Sequence, residues 1–90
     1  MSVIYKYPLV VDGSQDIRMP EGARILCVQV QRETPCIWAA VDANPHVLRR
    51  LRILPTGGAF DEEVFGTYVG TFQLSGGDFI GHLFDGGEIR

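Results

Sequence analysis

Ninety residues, 46% of them hydrophobic and 21% charged, allow one domain spanning residues 1–90 with a single modest core, which excludes a disordered chain and a multidomain one. A net charge of −3 argues against a default nucleic-acid binder, and no apolar run approaches the roughly 18 residues a membrane span needs. The charge is uneven, about +2 over residues 1–52 and about −5 over residues 53–90, which suits head-to-tail self-contact as well as plain solvation.

MSVIYKYPL at the start lacks the basic region, apolar stretch and cleavage site of a secretory signal. From there on, the dominant pattern is alternation with period two, interrupted by Gly, Pro, Asp and Asn, the mark of short strands and turns. VIYKYPLVV sets Val3, Tyr5, Tyr7, Leu9 and Val11 on one face. A two-residue Asp12-Gly13 turn would oppose Tyr7 to Arg18 and Leu9 to Asp16. An odd-length loop opposes Leu9 to Ile17 and Tyr7 to Met19, and burial favours that register. MPEG, residues 19–22, suits a type I or II turn with Pro20 in its second position. RILCVQVQ and PCIWAAVD then flank a two-residue turn near Arg32 to Thr34. This hairpin places Leu26, Val28 and Val30 with Ile37, Ala39 and Val41 on a core face. The opposite face, with Ile25, Cys27, Gln29 and Gln31 beside Cys36, Trp38 and Ala40, is mixed.

ANPH at 43–46 breaks the chain, and VLRRLRIL alternates Val47, Leu51 and Ile53 against Arg50 and Arg52, with Arg49 out of pattern. PTGG closes that strand. DEEVFG, residues 61–66, gathers acids where a helix could start, for one turn at most. YVGTFQLS and DFIGHLF are joined by Gly76-Gly77, a strong signal for a primed hairpin turn. Pairing Ser75 with Asp78 opposes Leu74 to Phe79, Phe72 to Gly81 and Gly70 to Leu83 on one apolar face. It leaves His82 on the other face, opposite Thr71.

Chemical motifs are sparse. A triad would have to join His82 to a distant Asp and to Cys36, and nothing in the chain places them together; His82 reads more simply as a sheet histidine, and His46 as an exposed loop residue. Cys27 and Cys36 lack metal-ligand spacing and sit diagonally across their hairpin, so free thiols and no zinc are expected. The glycine clusters match no phosphate-binding pattern, and Asp61-Glu62-Glu63 lacks the spaced ligands of a calcium loop. Arg49, Arg50 and Arg52 form the one basic cluster, suited to a nucleotide or an acidic protein surface more than to nucleic acid. Trp38 must point away from the core, where either another strand of the domain covers it or it serves as an interface anchor.

Taken together, YKYPL at 5–9, MPEGARIL at 19–26, VQVQ at 28–31, PCIWAAVD at 35–42 and YVGTFQLSGG at 68–77 resemble a family of short uncharacterised phage and prophage proteins, in the same order along nearly the whole chain. That resemblance implies a viral or prophage origin and action in the cytoplasm of a bacterial host, and carries no activity, cofactor or catalytic residue. The expected object is an all-β domain of about six or seven short antiparallel strands, a small sandwich or partly open barrel. The expected role is a non-enzymatic module that binds a host or phage protein, with self-association possible and no cofactor. The alternative is a small-ligand or nucleotide-sequestering protein built on Arg49, Arg50 and Arg52. Trp38, the three arginines and His82 are the candidate binding residues.

Overall fold

The computed structural model describes residues 1–89. Seven strands follow one another as β1 (Val3–Pro8), β2 (Ser14–Pro20), β3 (Arg24–Gln31), β4 (Thr34–Val41), β5 (His46–Pro55), β6 (Thr67–Leu74) and β7 (Phe79–Ile89), with the single helical turn α1 (Glu62–Phe65) between β5 and β6. They form two antiparallel sheets, β1-β4-β3 and β2-β5-β7-β6. The fold is a small all-β sandwich, not a closed barrel. Leu9, Met19, Val28, Ile37, Ala39, Leu51, Ile53, Phe72 and Leu83 meet between the sheets. Most of the alternating positions that the sequence marks as apolar face inward, whereas Val3, Tyr5, Val11 and Leu26 stay exposed over half or more of their surface.

The β1–β2 hairpin expected from the sequence does not form. β1 pairs with β4, Tyr7 opposite Ile37, while β2 pairs with β5, Ile17 opposite Arg49 and Met19 opposite Val47. The chain crosses from one sheet to the other over residues 9–13. The Leu9 N–H donates to Pro35 O (2.8 Å) on one side, and the Ile53 N–H donates to Gly13 O (3.0 Å) on the other. A two-stranded ribbon would need outside cover for its apolar face. The crossing instead drops Leu9 and Met19, 4% and 0% exposed, into the shared core. The turn after β2 is displaced by one residue as well. Ala23 N–H donates to Pro20 O and Gly22 has φ +79°, so Pro20 is the first position and Gly22 the third of a type II turn, where glycine fits.

The β3–β4 hairpin has the expected two-residue turn at Arg32-Glu33, both in the left-handed region (φ +52° and +62°). A bulge between Ile25 and Cys27 corrects its far end: Leu26 turns out to 51% exposure, and Ile25 packs against the core in its place. The β6–β7 register is the expected one, with Gly70 opposite Leu83, Thr71 opposite His82, Phe72 opposite Gly81 and Leu74 opposite Phe79. Gly76 and Gly77 both have positive φ at the turn. At this end of the sandwich, the Glu33 carboxylate accepts from the Ser75 N–H, tying the two hairpin turns together (3.1 Å). Gly70 leaves room for Val28 of β3, whose Cγ1 would lie 2.9 Å from a Cβ there.

Candidate functional site

The outer face of β5, β7 and β6 is defined by Leu54 opposite His82, His82 opposite Thr71, and Arg52 and Tyr68 both opposite Phe84. An outward phenylalanine needs a cover, and the segment after β5 supplies it. Asp61 caps α1 by accepting from the Glu63 N–H (2.9 Å). This turn sets Phe60 and Phe65 on Phe84, with ring centroids 5.2 and 5.3 Å away, and Tyr68 closes the group at 5.5 Å. Arg52 fastens the turn from below. Its Nη1 donates to Val64 O (2.9 Å) and Phe65 O (3.2 Å), and its guanidinium lies 5.6 Å from the Phe65 ring centroid.

Between this aromatic group and the Pro55–Gly58 turn lies a hollow of about 290 Å³, lined by Leu54, Thr56, Phe60, Tyr68, His82 and Phe84 among others. His82 forms part of its floor. Its Nε2 is 2.7 Å from Thr56 Oγ1 and its Nδ1 is 2.8 Å from Thr71 Oγ1, which in turn is hydrogen-bonded to the Tyr68 hydroxyl. Threonine hydroxyls occupy both ring nitrogens, so the histidine faces neither a carboxylate nor a thiol.

The three arginines do not form one strip: Arg50 and Arg52 share the outer face, where both side chains lie over Gly86, and Arg49 does not join them. Arg50 lies on the outer face and pairs with Asp16, and Arg52 is held by the α1 carbonyls. Arg49 points inward instead, its side chain 12% exposed. Its Nε and Nη2 donate to the two oxygens of Asp85 (2.9 and 2.6 Å), and its Nη1 donates to Ala23 O (2.8 Å) beneath the β2–β3 turn. Arg49 is therefore in geometric step with Leu51 and Ile53 although its chemistry breaks their pattern. Burial works against the Asp85 charge, but the Arg49 hydrogen bonds and the Gly87 N–H outweigh it and hold this carboxyl below its ordinary range.

A second surface lies on the opposite side of the molecule. The outer face of β1-β4-β3 carries Trp38, half-buried, opposite Cys27 and Lys6. Ile4 and Leu26 stand beside it, 61% and 51% exposed. Lys6 Nζ donates to Gln31 Oε1 (2.6 Å), and the two side chains span β4 above Cys36, which is 2% exposed. Arg24, opposite Ala40, extends the same face. Cys27 and Cys36 are both free thiols. Among the described residues, no group of three or more His, Cys, Asp or Glu is placed to hold a metal ion, and no helix is long and apolar enough to cross a membrane.

A family described as a domain of unknown function, DUF7352, matches residues 1–89. The chain belongs to that family. No curated protein and no solved structure matches it significantly. In this DUF7352 chain, the outward direction of Trp38 and the Thr71–His82 pair were legible from strand alternation. The aromatic cover was not, because Phe60 and Phe65 lie in a segment without periodicity; Phe84, an outward aromatic in the middle of a strand, was the available clue.

Proposed function

We propose that this DUF7352 domain is a non-enzymatic protein-interaction module that docks an acidic segment of a partner protein on the outer face of β1-β4-β3. The observation that carries the reading is the apolar group of exposed Ile4 and Leu26 and half-buried Trp38, bordered by Lys6 and Arg24. An apolar centre with a charged rim is how protein interfaces are built, and tryptophan is the residue most often found as an anchor. Among the described residues neither Lys6 nor Arg24 is in a salt bridge, whereas Arg49 and Arg50 are. Two like charges on one face favour an acidic partner over an isologous second copy. The resemblance of YKYPL, MPEGARIL and PCIWAAVD to phage and prophage proteins supports a partner of host or viral origin in the bacterial cytoplasm.

The test is affinity capture from infected cells with the wild type, Trp38→Ala and the Lys6→Glu/Arg24→Glu double variant, with thermal unfolding measured on each. The reading expects one protein retained by the wild type and lost by both variants, each still folded, with direct binding weakened by about 2 kcal/mol or more for Trp38→Ala. Equal retention by all three removes it. A wild type that is monomeric alone and a captured protein with an acidic contact region complete the expectation; a captured second copy of the chain contradicts it.

A further inference from the structure

We propose that the hollow beside His82 binds a small uncharged aromatic molecule carrying one hydrogen-bonding group, its ring held among Phe60, Tyr68, Phe84 and Leu54 and its polar group met by the Thr56 hydroxyl. At about 290 Å³ the hollow is near the lower end of small-molecule sites, and its composition is theirs: mainly rings and aliphatic surface with a few converging polar atoms. No Asp, Glu, Lys or Arg is among its lining residues. A charged ligand would meet no counter-charge there. Aromatic rings, in contrast, meet rings already disposed at tilted and edge-on angles around Phe84.

The polar side of the site is a relay. Tyr68, Thr71, His82 and Thr56 are hydrogen-bonded in sequence, ending at Thr56 on the wall of the hollow. Each hydroxyl donates one proton and accepts others, and a neutral imidazole has one donor nitrogen and one acceptor. The chain of bonds therefore has two directions. When Nδ1 carries the proton it donates to Thr71, Nε2 accepts from Thr56, and Thr56 Oγ1 is left as an acceptor. When Nε2 carries the proton it donates to Thr56, whose own O–H then points to the ligand. The His82 tautomer sets whether the site accepts or donates, and the ligand selects the tautomer.

The experiment uses the whole chain with ¹⁵N-labelled imidazoles, His82 being assigned against a His46→Gln variant, at a pH where the rings are neutral. The probes are phenol, which donates, acetophenone, which only accepts, and benzoate, which is charged. Expected are saturable shifts confined to the residues lining the hollow with phenol and acetophenone, and benzoate weaker by about tenfold or more. Phenol is expected to shift His82 toward the Nδ1–H tautomer and acetophenone toward Nε2–H, and Thr56→Val is expected to abolish both tautomer responses while the fold is kept. Absence of saturable shifts with both neutral probes, or benzoate binding as well as they do, overturns the site. The same tautomer under both neutral probes overturns the relay.

Discussion

Asp85 holds the Arg49 guanidinium at the margin of the core with two hydrogen bonds, and both side chains are largely shielded from water. Removing the carboxylate leaves a cation that is poorly hydrated, so Asp85→Asn is expected to cost roughly 2–3 kcal/mol, between the values of exposed and fully buried pairs. Because the Asp85 pKa is depressed in the folded chain, its contribution is present above the unfolded carboxyl pKa of about 3.9 and is lost as the pH falls through the lower folded value. Urea midpoints of wild type and variant should therefore differ at pH 7 and converge in strong acid. A gap of the same size at both pH values would assign the loss to packing. This pair could not be read from the sequence. Its partners are 36 residues apart, and they meet across the β5–β7 pairing, where Asp85 stands opposite Leu51, two residues along the same face from Arg49. Trp38 was legible, since its direction depends only on alternation within a short hairpin.

The β6–β7 hairpin shows what glycine permits within an element. A Cβ at Gly81 would lie 2.5 Å from Phe72 Cζ, so the Phe72 ring lies flat over the opposing strand because there is no side chain beneath it. Gly81→Ala is expected to destabilise the domain by about 1–3 kcal/mol, as overpacking of a filled core does. Adding Phe72→Leu, which frees the space, should recover part of that loss, and a double-mutant cycle on denaturant midpoints measures the coupling. Strict additivity would show that the ring and the glycine are independent. Here sequence reasoning succeeded because the glycine turn and the apolar face agree on one register. It failed at Leu26, where the bulge in β3 reverses the inward and outward positions on its N-terminal side, and at Pro20, where the demand for glycine in the third turn position moved the turn by one residue.

At the scale of the molecule, the class of fold was plain from alternation, but the strand order was not, since nothing in VIYKYPLVV specifies β4 in preference to β2 as its neighbour. Partner choice is decided by which arrangement buries the most apolar surface between the two sheets, and this depends on all seven strands at once. The finished sandwich leaves its two thiols unequal. Cys27 is half-buried on the open face, and Cys36 lies beneath the Lys6–Gln31 span. A thiol reagent on native protein is expected to label Cys27 first, with Cys36 reacting faster in Lys6→Ala than in wild type; equal Cys36 rates would show that the span gives no protection. The crossing at residues 9–13 has a kinetic consequence. The β3–β4 and β6–β7 hairpins each close on a short turn, whereas β1 and β2 find partners only about 30 residues further along the chain. Loop closure makes such contacts late, and of the four edge strands only β1 and β2 are not held to their neighbour by a short turn. Amide hydrogen exchange should accordingly be fastest along β1 and β2 and slowest in the two hairpins, so that the first twenty residues behave as a strap that fastens after the rest of the sandwich has assembled. Uniform protection across the strands would show instead that the domain opens only as a whole.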